Sequence, residues 1–251
     1  MFKLKRILLP TDFSRCADQA MAQAVYLARK HEAEIYMLNV SVLYAMDFIG
    51  DVKDIYAELK DHALDHMRAA IVEHNAIDLK ITMLSSPSTS VSTRILEYAQ
   101  ASEIDLIVMG THGRHGLGHL FLGSITEQVV RQATCPVLTI RESSESKPAQ
   151  PFSKILAPID FSSYSHKALV YAKELAAFYG AQLQLLHVVE EPIYPAFYAL
   201  EGFFTTNMIQ AIKTEAKKEM GLLLRKTEGP EIASEIHIIN GRAGHEIAKF
   251  A

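Results

Sequence analysis

KRILLPTDFSRCADQAMAQAVYLARKHEAEIYMLNV, residues 5–40, and SKILAPIDFSSYSHKALVYAKELAAFYGAQLQLLHV, residues 153–188, align without a gap, and this pairing decides how the chain is read. Pro10, Asp12, Phe13 and Ser14 fall on Pro158, Asp160, Phe161 and Ser162. Each copy opens with a short apolar run of strand character and passes through a turn. It then enters an alanine-rich stretch with apolar positions at helical spacing and closes on a second apolar strand.

Outward from the first copy, strands are expected near 5–11, 35–40, 79–84, 104–109 and 136–140, alternating with helices near 15–31, 51–75, 89–101 and 124–133. Such alternation implies an open, mostly parallel sheet with helices on both faces, an α/β fold. The second copy repeats the opening unit, then shows the strand 182–188, a long helix near 207–227 and a strand at 235–239. Its IAKFA, residues 247–251, aligns with ILEYA, residues 95–99, so nothing in it corresponds to residues 100–141. The polar segment ESSESKPAQP, residues 142–151, carries two prolines and suits a solvated linker. The expected organisation is a complete domain over 1–141, a linker over 142–151 and a second domain over 152–251 lacking the last two strands. A chain of 251 residues is long enough for two ordinary domains.

A formal net charge of −4 and a sequence pI near 6.3 leave no basic block for nucleic acid or an anionic membrane. Although 49% of the residues are hydrophobic, no apolar run approaches the roughly 18 residues of a membrane span. No secretory signal is visible, and Cys16 and Cys135 lie far apart without metal-type or redox-type spacing. They read as packed thiols of a cytoplasmic protein.

Chemistry concentrates in IDLIVMGTHGRHGLGHLFLGSITEQVVR, residues 104–131, where a strand runs into a glycine-rich loop that opens a helix. The spacing G-x2-G-x9-G-S runs through Gly110, Gly113, Gly123 and Ser124. Glycines let main-chain N–H groups approach an anion, and a helix start adds a favourable dipole. Ser124 followed by Glu127 also fits a capping box, in which the hydroxyl serves the helix. Asp12 follows the first strand, and a carboxylate beyond a strand end can accept from a ribose hydroxyl or a base amine. Its competing reading is the cap of helix 15–31, for which Ser14 is an equal candidate. There is no G-x4-G-K-[ST], so no P-loop lysine reaches the phosphates. Arg114 is the nearest cation, with a solvated loop arginine as the competing reading. His112, His115 and His119 raise a metal reading, but no fourth ligand is evident, and the expectation is that no protein-held metal is present. Nothing there is an obvious base for activating water.

The LLPTDFS start, Val40 at the end of the second strand, the glycine spacing from Gly110 to Ser124, and CPVLTI, residues 135–140, together resemble the universal stress protein family. The resemblance implies an adenine-nucleotide alpha-hydrolase-like sheet of order 3-2-1-4-5 in each domain, with ATP, often with Mg or Mn, held between the first and fourth strands. On that resemblance Asp12 and the main chain of Val40 contact adenosine. Met109, Gly110, Gly113, Arg114, Gly123 and Ser124 surround ribose and phosphates, and Pro10, Thr11 and Ile125 complete the set. The second domain keeps Asp160 and Val188 but has no matching glycines, so one nucleotide per chain is expected. The family's pairing through the last strand implies a homodimer through Val137 to Ile140.

The function expected is ATP-dependent regulation in a stress response, with an unknown protein partner. Two other readings stand beside it. One is a slow ATPase or nucleotidyl-transferring enzyme, which fold analogy alone cannot establish. The other is a partner-binding module with a vestigial pocket, presenting Tyr44, Met46, Phe48 and Ile49 ahead of the helix near 51–75.

Overall fold

The computed structural model describes residues 4–42, 52–111, 123–142, 152–190 and 206–251. Outside the described residues lie the apolar segment from Tyr44 to Ile49, the loop with His112, Gly113, Arg114, His115 and His119, and the body of the linker. The chain divides into two compact units, one within residues 3–150 and the other within 151–251.

The first unit runs β1 (Arg6–Pro10), α1 (Arg15–His31), β2 (Glu34–Val42), α2 (Val52–Glu73), β3 (Ile81–Ser88), α3 (Val91–Ala101), β4 (Leu106–Gly110), α4 (Ser124–Gln132) and β5 (Val137–Ile140). Its five strands form one parallel sheet ordered β3-β2-β1-β4-β5, as expected. Ile7, Leu8 and Leu9 of β1 are each 0% exposed, because the central strand is covered on both faces. On one face Leu8 joins Leu38, Ile95, Ile107, Met109 and Val129 in a cluster under α3 and α4. Side chains alternate along a strand, so Ile7 and Leu9 point to the opposite face. There α1 buries Ala20, Met21, Ala24 and Ala28.

β3 outlasts the expected end at residue 84 and continues through Pro87. The Ser-Ser-Pro-Ser run looks like a turn, but β3 is a sheet edge, where a residue without an N–H is tolerated. The start of α1 is capped by Ser14, whose side chain accepts from Ala17 N. Asp12 does not cap it; its Oδ1 accepts from Ser14 N at 3.1 Å.

The second unit runs β6 (Lys154–Pro158), α5 (Ser163–Tyr179), β7 (Gln182–Val189), α6 (Thr206–Lys226), β8 (Ser234–Asn240) and α7 (Ala243–Phe250). Its sheet has three parallel strands in the order β6-β7-β8. Leu169, Leu183, Leu185 and Met220 form the centre of its core. Lys173 is buried beside them, and its amine donates to Thr227 O at 2.7 Å, just past the end of α6. A cation suits that position, since the C-terminal end of a helix carries partial negative charge.

The two copies share a local device after the first strand. Phe13 and Phe161 hold left-handed backbone, with φ of 61° and 62°, which is uncommon for a bulky residue. Asp160 Oδ1 accepts from Ser162 N at 2.9 Å, as Asp12 does from Ser14. Hydrogen bonds from the Ser162 and Ser165 side chains, reinforced by the Ser162 N–H, lower the Asp160 carboxyl to about 2. A depressed carboxyl supports the fold while ionised, so this support is present above the ordinary value near 4 and is lost as pH falls through about 2. A carbon-detected NMR pH series should place the Asp160 midpoint near 2; titration at the ordinary aspartate value would show that the turn does not hold the carboxylate.

Candidate functional site

The sheet reverses direction between β1 and β4: from β1 the chain moves outward to β2 and β3, then returns to β4 on the other side. β1 and β4 pair directly through Ile7 with Leu106 and Leu8 with Ile107. The segments leaving their carboxyl ends, Thr11–Asp12 and Gly110–Thr111, therefore start side by side at one rim. In open parallel sheets this reversal leaves a crevice beyond the strand ends, because the two connections depart to opposite faces.

The β1 side of the rim is held by main-chain and amide bonds. Thr11 N donates to Leu38 O at 2.9 Å, and Asn39 Nδ2 donates back to Thr11 O at 2.9 Å. Phe13 N donates to Thr11 Oγ1 at 3.1 Å, closing the tight turn around Asp12. Val40 follows on β2, its side chain packed against the cluster under α3 and α4. That leaves its main chain as the part presented at the strand end. Pro10 is buried at the end of β1, beneath Thr11 and Asp12.

The β4 side is held by threonines. Thr111 N donates to Ile140 O at 2.9 Å, and Gly123 N donates to Thr111 O at 2.8 Å, which brings the start of α4 back to the end of β4. The buried Thr126 hydroxyl donates to Gly110 O at 2.9 Å. Met109 turns its side chain into the core, so it too offers only main chain here. Gly110 packs directly on α1. A Cβ at this position would stand 2.8 Å from Cys16 Sγ and 3.0 Å from the Cys16 main-chain carbon. The first glycine of the motif is thus demanded by the helix behind it.

The capping-box expectation for Ser124 does not hold. Gly123 is the N-cap of α4, with no side-chain cap bond among the described residues, and Ser124 is the first residue of the helix. Glu127 Oε1 is instead taken by Arg131 Nε at 2.9 Å. A glycine N-cap has no side chain to take up the first-turn N–H groups of α4, and Ser124 and Ile125 are exposed beside them.

Of the residues expected at the site, Pro10, Thr11, Asp12, Val40, Met109, Gly110, Gly123, Ser124 and Ile125 gather at this rim, while Gly113 and Arg114 lie outside the described residues. Asn39 and Thr126 are additions that the sequence reading passed over. Asn39 had a signal: His187 occupies the matching place in the second copy and its Nδ1 bonds Ile159 O at 2.7 Å, the same clamp made with a different side chain. Thr126 had none beyond its nearness to Ser124. Burial pushes the Cys135 thiol up, which keeps it protonated and unreactive. Among the described residues no three His, Cys, Asp or Glu side chains are grouped to hold a metal ion, and no helix is long and apolar enough to cross a membrane.

Comparison with known proteins agrees with this architecture. The profile of the universal stress protein family matches residues 3–141 and 151–251. A universal stress protein of Methanocaldococcus jannaschii is 32% identical over 143 residues, covering 55% of this chain and 82% of the relative. A universal stress protein of Thermus aquaticus is 32% identical over 140 residues, covering 55% of this chain and 98% of the relative. The crystal structure of a universal stress protein from Archaeoglobus fulgidus superimposes with a TM-score of 0.65 at 20% identity, over 97% of this chain and 82% of that one. With two successive matching regions, the first on a five-stranded sheet and the second on a three-stranded one, the chain belongs to the universal stress protein family.

Proposed function

We propose that the rim between β1 and β4 binds one adenine nucleotide, ATP with Mg or Mn as its physiological form, and that occupancy regulates the protein's engagement with a partner in a stress response. The observation that carries this reading is the start of α4, whose N-cap is a glycine with no side-chain cap bond and which Thr126 and Gly123 place beside the end of β4. Free N–H groups at a helix start suit a phosphate, and a carboxylate on the opposite side suits a ribose hydroxyl or base amine. The residues present fit a nucleotide in both halves. Asp12 and the main chain of Val40 would hold the nucleoside. Met109, Gly110, Gly113, Arg114, Gly123, Ser124 and Ile125 would surround ribose and phosphates, with Pro10 and Thr11 setting the turn.

Binding is favoured over turnover. Asp12 is the carboxylate at the rim, and one of its oxygens is already engaged by Ser14 N. The slow ATPase or nucleotidyl-transferring reading therefore stands second. In the second unit Asp160 and its turn recur, but no described strand lies beyond β6 to bring a phosphate-binding helix start to it.

We also place the self-association surface on β5, whose outer edge pairs with no strand among the described residues. Unpaired edges template further pairing. Light scattering of the full chain should give about twice the chain mass, and monomer at every concentration would remove β5 as an interface.

Calorimetric titration should return one ATP per chain, and mass spectrometry of ligand released from freshly purified protein should detect ATP, ADP or AMP. Asp12→Ala should weaken binding by roughly tenfold to a hundredfold, the worth of a charge-assisted hydrogen bond, while Asp160→Ala leaves it unchanged. Two equivalent sites, or no adenine nucleotide bound at all, would refute the assignment.

Gly110→Ala tests how the rim is built. The added Cβ must push β4 and α1 apart, at a cost of about 1–3 kcal/mol for overpacking, and nucleotide affinity should fall with it. Adding Cys16→Ala removes the sulfur but not the main-chain carbon at 3.0 Å, so stability and affinity should recover only in part. Thermal melts showing Gly110→Ala as stable as the parent would mean that the contact is not what excludes a side chain there.

A further inference from the structure

The outer face of α2 carries two histidines that the nucleotide reading does not use. His62 and His66 are exposed and four residues apart on the helix, so they sit one above the other on the same face. Their ring centroids are 4.5 Å apart with planes inclined at 50°. His66 also packs 5.1 Å from the Phe13 ring. Phe13 is itself fixed by its left-handed backbone and its bond to Thr11 Oγ1. One imidazole is therefore oriented by the turn after β1, and the other is delivered by the helix register.

This spacing is compatible with a chelate. With a metal–nitrogen length of about 2.1 Å and a ring radius of about 1.1 Å, two imidazoles bound at right angles to one ion have centroids about 4.5 Å apart. The rings stand at that separation, so rotation about the side-chain bonds is the movement needed to turn one nitrogen of each toward a common ion. Neutral imidazoles are borderline donors that suit copper, nickel and zinc, not the hard ions that accompany phosphates. Of the nearby charges on α2, Asp65 is already engaged by Arg68 at 2.6 Å. Glu58 lies one turn before His62 on the same side of the helix.

We propose that His62 and His66 form a bidentate site for a divalent transition-metal ion of the copper, nickel and zinc class, with water in the remaining positions. The site is independent of the nucleotide rim in its donors and lies against Phe13, in the turn that carries Asp12. It occurs once per chain. In the second unit α6 buries Ala216 and Met220 as α2 buries Ala63 and Met67, and that match puts Glu215 and Glu219 where the histidines stand.

The test titrates the full chain with Cu(II), Ni(II) and Zn(II) against a colorimetric competitor, in phosphate-free buffer above neutral pH. A background with His112→Ala, His115→Ala and His119→Ala removes the loop imidazoles. One ion per chain should remain bound, copper most tightly, and His62→Ala or His66→Ala should each weaken binding by at least about tenfold, because the second donor acts at high effective concentration. Asp61→His combined with His62→Ala keeps the histidine count but sets the two rings five residues apart and off a common face; it should bind as weakly as His62→Ala alone. In the unsubstituted chain, substoichiometric Zn(II) should shift the NMR ring signals of His62 and His66 together. Undiminished affinity in His62→Ala and His66→Ala, or full affinity in the displaced pair, would overturn the site, as would ring signals that stay in place.

Discussion

The first unit depends on keeping β1 dry on both faces while pairing it on both edges. Ile7, Leu8 and Leu9 present side chains to opposite faces, so one helix layer cannot cover them. α1 takes one side, while α3 and α4 take the other. A parallel sheet needs a crossover for every added strand. To pair β1 on both edges, the chain must wind outward through β2 and β3 and then come back to β4. The rim between β1 and β4 is the geometric result, and Thr11, Asp12, Gly110 and Thr111 stand there because those two strands end side by side.

The two copies show how far one sequence pattern can be carried into different surroundings. Both begin with strand, left-handed phenylalanine, serine cap and helix, and both clamp the first two strand ends with a side chain from the second strand. They part on the helix face that meets the fourth strand. In the first unit Cys16 and Gln23 of α1 are 1% and 7% exposed, with Cys16 pressed against Gly110. At the matching places on α5 stand Tyr164 and Tyr171, 81% and 50% exposed. A thiol fits beneath a strand end where a phenol ring would not. Residue size at this one face follows the neighbouring strand, although the pattern of the helix is unchanged.

What could be read beforehand divides along the same line. The sheet order, the repeat and the rim were legible because strand–helix alternation and the gapless match of residues 5–40 with 153–188 are long, redundant signals. The end of β3 was not, because Ser85, Ser86, Pro87 and Ser88 carry turn chemistry that only an edge position reconciles with a strand. The capping-box reading of Ser124 fails for a similar reason. Capping-box spacing is present, but Gly123 is tied to Thr111 O and takes the cap position itself. The reason for Gly110 lies in Cys16, nearly a hundred residues away in the chain, and no local pattern contains such a contact.

These bonds also bear on how a ligand at the rim could act. Asn39 fastens the turn before Asp12 to the end of β2, and Thr126 fastens α4 to the end of β4. Both halves are thus anchored to a sheet whose central strand has no free surface. A ligand changes a protein's behaviour only by favouring one state over another, and a packed parallel sheet offers no second arrangement at small cost. Under the nucleotide reading, the response must therefore be carried at the surface. A bound triphosphate adds negative charge to the rim of a chain whose formal net charge is already −4, so a partner would distinguish occupied from empty protein by local charge and contour. Under that reading the anchored strand ends act as a fixed cradle and the surface carries the change, a division of labour that suits a recognition protein better than an enzyme that must move through a catalytic cycle.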